Sequence, residues 1–113
     1  MKITVRTAGA VSVLDLDGKL VAGDSAMALK EKVHSLIVEG NKNFVLNLGG
    51  VAIIDSSGLG EIISCLTAVS RVGGKLKLAN VTKRNKDLLS ITKLLTVFET
   101  FDTDTEAVES FVA

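Results

Sequence analysis

Phe44-Val45-Leu46-Asn47-Leu48 and Ile53-Ile54-Asp55-Ser56-Ser57-Gly58-Leu59-Gly60 lie close together in the chain, and reading them decides the fold. The first run is short, β-rich and almost wholly apolar, as expected of a strand buried on both faces. The second begins apolar and turns abruptly small and polar. From Leu59 the apolar residues recur at Ile62, Ile63, Leu66 and Val69, the spacing of one face of a helix. Gly49-Gly50 reads as a loop closing the strand at Leu48. Strand, loop and helix in that order are the opening of a β-α-β unit.

Working outward, the same alternation holds. Ile3 and Val5 mark a first strand, and Val11, Val13 and Leu16 a second, with Gly9-Ala10 between them as a hairpin connection. Gly23-Asp24-Ser25 offers a helix cap, and Leu29, Val33, Leu36 and Ile37 line a helix that Gly40 can end in a left-handed conformation. Downstream, Gly73-Gly74 ends the central helix and Lys75-Leu76-Lys77-Leu78 alternates as a strand. Thr82 to Ile91 reads as a third helix and Val97 to Phe101 as a last strand. Thr103-Asp104-Thr105-Glu106 matches a capping box opening a helix through Val108 and Phe111. The order implies an α/β class: one domain over 1–113, a mixed, mostly parallel β-sheet covered by about four helices.

Composition narrows the function. The chain has 113 residues, 47% hydrophobic and 23% charged, with no proline, tryptophan or tyrosine and a net charge of zero. It presents no overall field to attract nucleic acid or an anionic membrane. Its charge is segregated, however. Seven basic residues between Arg71 and Lys93 face one acid, Asp87, while Glu99 to Glu109 holds five acids and no base. Such runs coat solvated faces or form a polarised docking surface. Cys65 lies in an apolar setting and reads as a small core residue. The N-terminal stretch lacks a signal peptide's apolar segment and no run is long enough to span a membrane, so cytoplasmic localisation is expected.

Chemistry belongs at the strand-to-helix junction, where α/β sheets place their sites. Asp55 and Ser56 would serve as an ordinary helix start. Two serines after an acid, followed by Gly58-Leu59-Gly60, exceed what one cap requires. A helix N-terminus there has unpaired N–H groups and partial positive charge, both suited to an anion. Ile63 stands where a dinucleotide fingerprint needs its third glycine, and no P-loop motif is present. His34, the only histidine, reads as a polar-face residue rather than a base for a serine nucleophile. Ligands for zinc are lacking. Neither catalysis nor a cofactor or metal is expected.

Ile54-Asp55-Ser56-Ser57-Gly58-Leu59-Gly60 after Asn47-Leu48, with Gly73-Gly74-Lys75-Leu76 and Val97-Phe98-Glu99, resembles the STAS domain family, and within it the bacterial anti-sigma factor antagonists. The likeness covers nearly the whole chain. It implies a transcription regulator that works by partner switching. The unmodified form binds an anti-sigma factor that is itself a serine kinase; phosphorylation of Ser56 ends that binding, and a metal-dependent serine phosphatase restores it. The partner-binding residues implied are Asp55, Ser56, Ser57, Gly58, Leu59 and Gly60. One departure stands out: where many members carry an acid, Gly18-Lys19-Leu20 is followed by Val21. A STAS subunit of a stressosome or lipid-transport complex, never phosphorylated, is the alternative the resemblance leaves open.

Overall fold

The structure, a computed structural model, describes residues 1–94 and 96–112. Five strands alternate with four helices: β1 (Lys2–Ala8), β2 (Val11–Leu20), α1 (Asp24–Val38), β3 (Asn43–Ile54), α2 (Ser56–Arg71), β4 (Lys75–Ala79), α3 (Lys83–Ile91), β5 (Thr100–Phe101) and α4 (Asp104–Glu109). They form one sheet in the order β1-β2-β3-β4-β5. The β1–β2 hairpin is antiparallel and every other pairing is parallel, as the alternation required.

Strand alternation divides the interior in two. Leu14, Leu16, Phe44, Leu46, Leu48, Leu76 and Leu78 enter the larger core with Leu29 and Val33 of α1, four side chains spaced along α2, and Leu89 of α3. Their neighbours Val11, Val13, Val45 and Ala79 point to the opposite face, where Ala107 of α4 covers them. Burial on both faces explains why β3 begins as a nearly unbroken apolar run. Full burial of one Leu or Phe side chain contributes roughly 1.5–3 kcal/mol, so the larger cluster dominates stability.

Three local expectations are corrected, and the cap expected at Gly23-Asp24-Ser25 falls there but through backbone alone. Gly49-Gly50 is no loop: β3 continues through it to Ile54, paired with β2 as far as Leu20. A Cβ at Gly50 would lie 2.8 Å from the carbonyl oxygen of Leu16, beside a register shift in β2. The glycine therefore permits close approach at a bulge. The helix cap expected at Gly23-Asp24-Ser25 makes no side-chain cap hydrogen bond; Gly23 is the N-cap at φ 96°. The Ser25 hydroxyl turns back instead to the backbone of Val21. The last strand keeps only Thr100 and Phe101, because Lys93 adopts φ 61° and the Val97 amide closes a turn onto Leu94. Finally, α4 stops at Glu109 instead of running to Phe111. The Ser110 hydroxyl takes over the Ala107 carbonyl at 2.6 Å, competing with helix continuation. The Thr103 cap does form, accepting from the Glu106 amide.

Candidate functional site

Asp55 organises the junction between β3 and α2. One carboxylate oxygen accepts from the Gly58 amide at 2.8 Å, capping α2, and the other accepts from the Ala22 amide at 3.0 Å. The Asp55 amide donates to the Leu20 carbonyl at 3.2 Å. A single residue therefore ties the first turn of α2 to the loop leaving β2. These donors favour the ionised form, so the carboxyl is held below the ordinary aspartate range, the Gly58 amide contributing most and the Ala22 amide next.

The cap leaves Ser56 and Ser57 as the first two helical residues, both exposed. Gly58 and Leu59 are buried, and Gly60 returns to the surface. Of the six residues singled out in the sequence, Ser56, Ser57 and Gly60 thus form the surface, with Asp55 as its anchor and Gly58 and Leu59 beneath it. Exposed hydroxyls sit at the positive end of a 16-residue helix, where first-turn amides have no intrahelical acceptors. The arrangement suits an added anion. His34 lies exposed on α1, and among the described residues no group of three or more His, Cys, Asp or Glu could hold a metal.

Two connections between residues distant in the chain escaped the sequence reading. Val21 immediately precedes the residue that Asp55 latches, so the departure from the usual acid falls against the serine motif. Asn85 of α3 is fully buried and donates to the Val51 carbonyl at 3.1 Å, fixing α3 beside the end of β3. An asparagine inside a helical run gives no sign of such a distant partner. Cys65 is buried as expected. Burial first, then the Glu61 carboxylate, pushes its thiol up to about 12, which removes nucleophilic character.

A small α/β domain with a mixed five-stranded sheet and an exposed serine pair opening its Asp55-capped central helix defines the class. The STAS domain model matches residues 2–107, and the chain belongs to the STAS domain family. Over 75 residues it is 35% identical to the anti-sigma-B factor antagonist of Bacillus subtilis, covering 66% of this chain and 68% of that one. It is 39% identical over 71 residues to the TM1081 homolog of Thermotoga neapolitana, a match that spans 63% of this chain and 63% of that relative's length. Its fold overlays TM1081 of Thermotoga maritima with TM-score 0.89 at 28% identity, covering 96% and 92% of the two chains. The phosphorylated form of the Bacillus cell fate determinant SpoIIAA shares the fold at TM-score 0.75 and 19% identity, covering 97% and 99%. No helix among the described residues is long and apolar enough to cross a membrane.

Proposed function

We propose that this chain is an anti-sigma factor antagonist, a non-enzymatic cytoplasmic regulator whose binding surface is Asp55 to Gly60. In this reading it docks in unmodified form on an anti-sigma factor that is also a serine kinase. Phosphorylation of Ser56 releases the partner and a metal-dependent serine phosphatase reverses the step. The observation that carries the reading is an exposed serine at the first position of α2, held in place by the two-sided Asp55 latch.

The physics of such a switch is simple. Phosphate adds about −1.5 to −2 charges at neutral pH. Within the free domain it meets the positive end of α2, so the fold tolerates it. Buried beneath a partner and beside the Asp55 carboxylate, the same charge meets desolvation and repulsion. A penalty of about 3 kcal/mol weakens binding roughly a hundredfold.

The test is incubation with the anti-sigma factor kinase and ATP, followed by peptide mass spectrometry. Phosphate on Ser56 is expected; its absence defeats the switch. Ser56→Asp should bind the kinase about a hundredfold more weakly than the parent by titration calorimetry, with the same circular dichroism spectrum. Val21 beside the latch motivates a second reading, a STAS subunit of a stressosome or lipid-transport complex, never phosphorylated. An unmodified Ser56 together with co-purification in such an assembly would favour it.

A further inference from the structure

We infer that the groove between the end of β3 and α3 docks an acidic, partly apolar segment of the partner protein, extending the contact surface beyond Ser56. The inference rests on the antagonist reading above and adds the chemistry of the segment recognised.

The groove encloses about 520 Å³, and its apolar wall includes Ile53, Leu88 and Ile91. Ile91 is 79% exposed, so the domain's own core gives no account of it. The groove is firmly built: the Asn85 amide is capped by Thr82, and its side chain reaches the Val51 carbonyl. It is also continuous with the serine face, since β3 ends at Ile54 and Asp55 caps the next helix.

Charge identifies the occupant. Lys83 and Arg84 line the groove, exposed, at the first two positions of α3, and the exposed Asp87 one turn on lines it with them, so two cations stand against one acid. Cations at the positive end of a helix oppose its dipole, and α3 has no acid in its first turn to offset them. Neither takes part in an ion pair among the described residues, whereas Lys86 nearby lies 3.8 Å from Asp102. A segment laid along α3, its apolar part over Ile91 and its acids at the other end of the helix, would meet Lys83, Arg84 and the helix N-terminus. The same placement sharpens the switch. A phosphate on Ser56 would then repel the acidic segment directly, in addition to being desolvated.

The experiment measures affinity for the anti-sigma factor kinase with the parent chain, Lys83→Glu/Arg84→Glu and Ile91→Ser. All three positions are exposed, so the variants should keep the parent's circular dichroism spectrum. Each is expected to bind about tenfold more weakly or worse. The parent's affinity should fall with salt more steeply than the charge-reversed variant's. Parent binding with both variants unchanged overturns the groove and leaves the antagonist reading intact; a parent that does not bind the kinase overturns both. A photo-crosslinker on Ile91→Cys reads the occupant itself, because Cys65 is buried. Attachment to an acidic stretch of the kinase supports the inference. Attachment to a basic stretch, or to a second copy of this chain through its own acidic 99–109 segment, overturns it.

Discussion

Gly58 and Gly60 are two residues apart in α2 and have opposite surroundings. A Cβ on Gly58 would lie 2.1 Å from the carbonyl oxygen of Leu20 and 2.8 Å from its carbonyl carbon, both backbone atoms that cannot swing away. A Cβ on Gly60 would meet nothing within 4 Å. Alanine is the better helix former by about 1 kcal/mol, but only where it fits. Gly58→Ala should therefore destabilise the domain by about 2 kcal/mol or more, read as a lower urea midpoint. Gly60→Ala should raise stability by up to about 1 kcal/mol and, if the bare surface admits a partner closely, weaken kinase binding. A Gly60→Ala protein that is stabilised and binds normally would remove Gly60 from the proposed surface.

Among elements, α4 adds charged contacts at both ends to its apolar packing. Only a small apolar patch lies beneath it. Arg6 of β1 bridges Asp15 of β2, at 2.7 Å, and Asp104 at the start of α4. Asp15 accepts in turn from Asn47, and Asn47 from Asn80, a polar ladder across the sheet. At the other end Lys77, 4% exposed, donates to the Ser110 hydroxyl at 2.7 Å, lies over the Phe111 ring and pairs with Glu99. The Arg6 guanidinium holds both Asp15 and Asp104 below the ordinary carboxyl range. Folded values below unfolded ones mean that this stabilisation is complete above the unfolded aspartate pKa of about 3.9. It is lost as pH falls through the lower folded values. Protection of the α4 amides, taken against the intrinsic exchange rate at each pH, should fall across that acid window before that of α2 amides beyond the Asp55-capped first turn. Arg6→Ala should abolish the difference while costing about 1 kcal/mol or less of global stability, since the pair is partly exposed.

At the scale of the molecule, the parallel strands β3 and β4 each run into a helix, so the N-termini of α2 and α3 open at the end of the sheet where these strands terminate. The serine face, the Val21 loop and the basic groove gather there, while the larger core lies behind them. This geometry separates signalling from stability. Phosphorylation of Ser56 should shift backbone amide resonances over 20–23 and 55–62 and leave those of β4 and α4 in place. Shifts spread through both cores would mean that the fold itself changes, contrary to a surface switch.

Periodicity was enough to read the class, the element order and the helix that carries the serines, because all three depend on local spacing of apolar residues. The cap at Asp55 and the exposed serines were legible for the same reason: an N-cap is a contact between residues three apart. Other features depended on partners distant in the chain. Gly49-Gly50 reads locally as a loop, yet pairing with β2 draws it into β3. The hold of Asp55 on Ala22, the anchoring of α3 by Asn85 and the clamp of Arg6 on α4 join residues 33, 34 and 98 positions apart. Sequence alone determined which segments are strands and helices and where an anion could sit, since those follow from short-range sterics and hydrogen bonding. Only the tertiary structure decided which glycine is packed against backbone, which cations remain unpaired and what lies beside Ser56, since packing of the sheet brings those groups together.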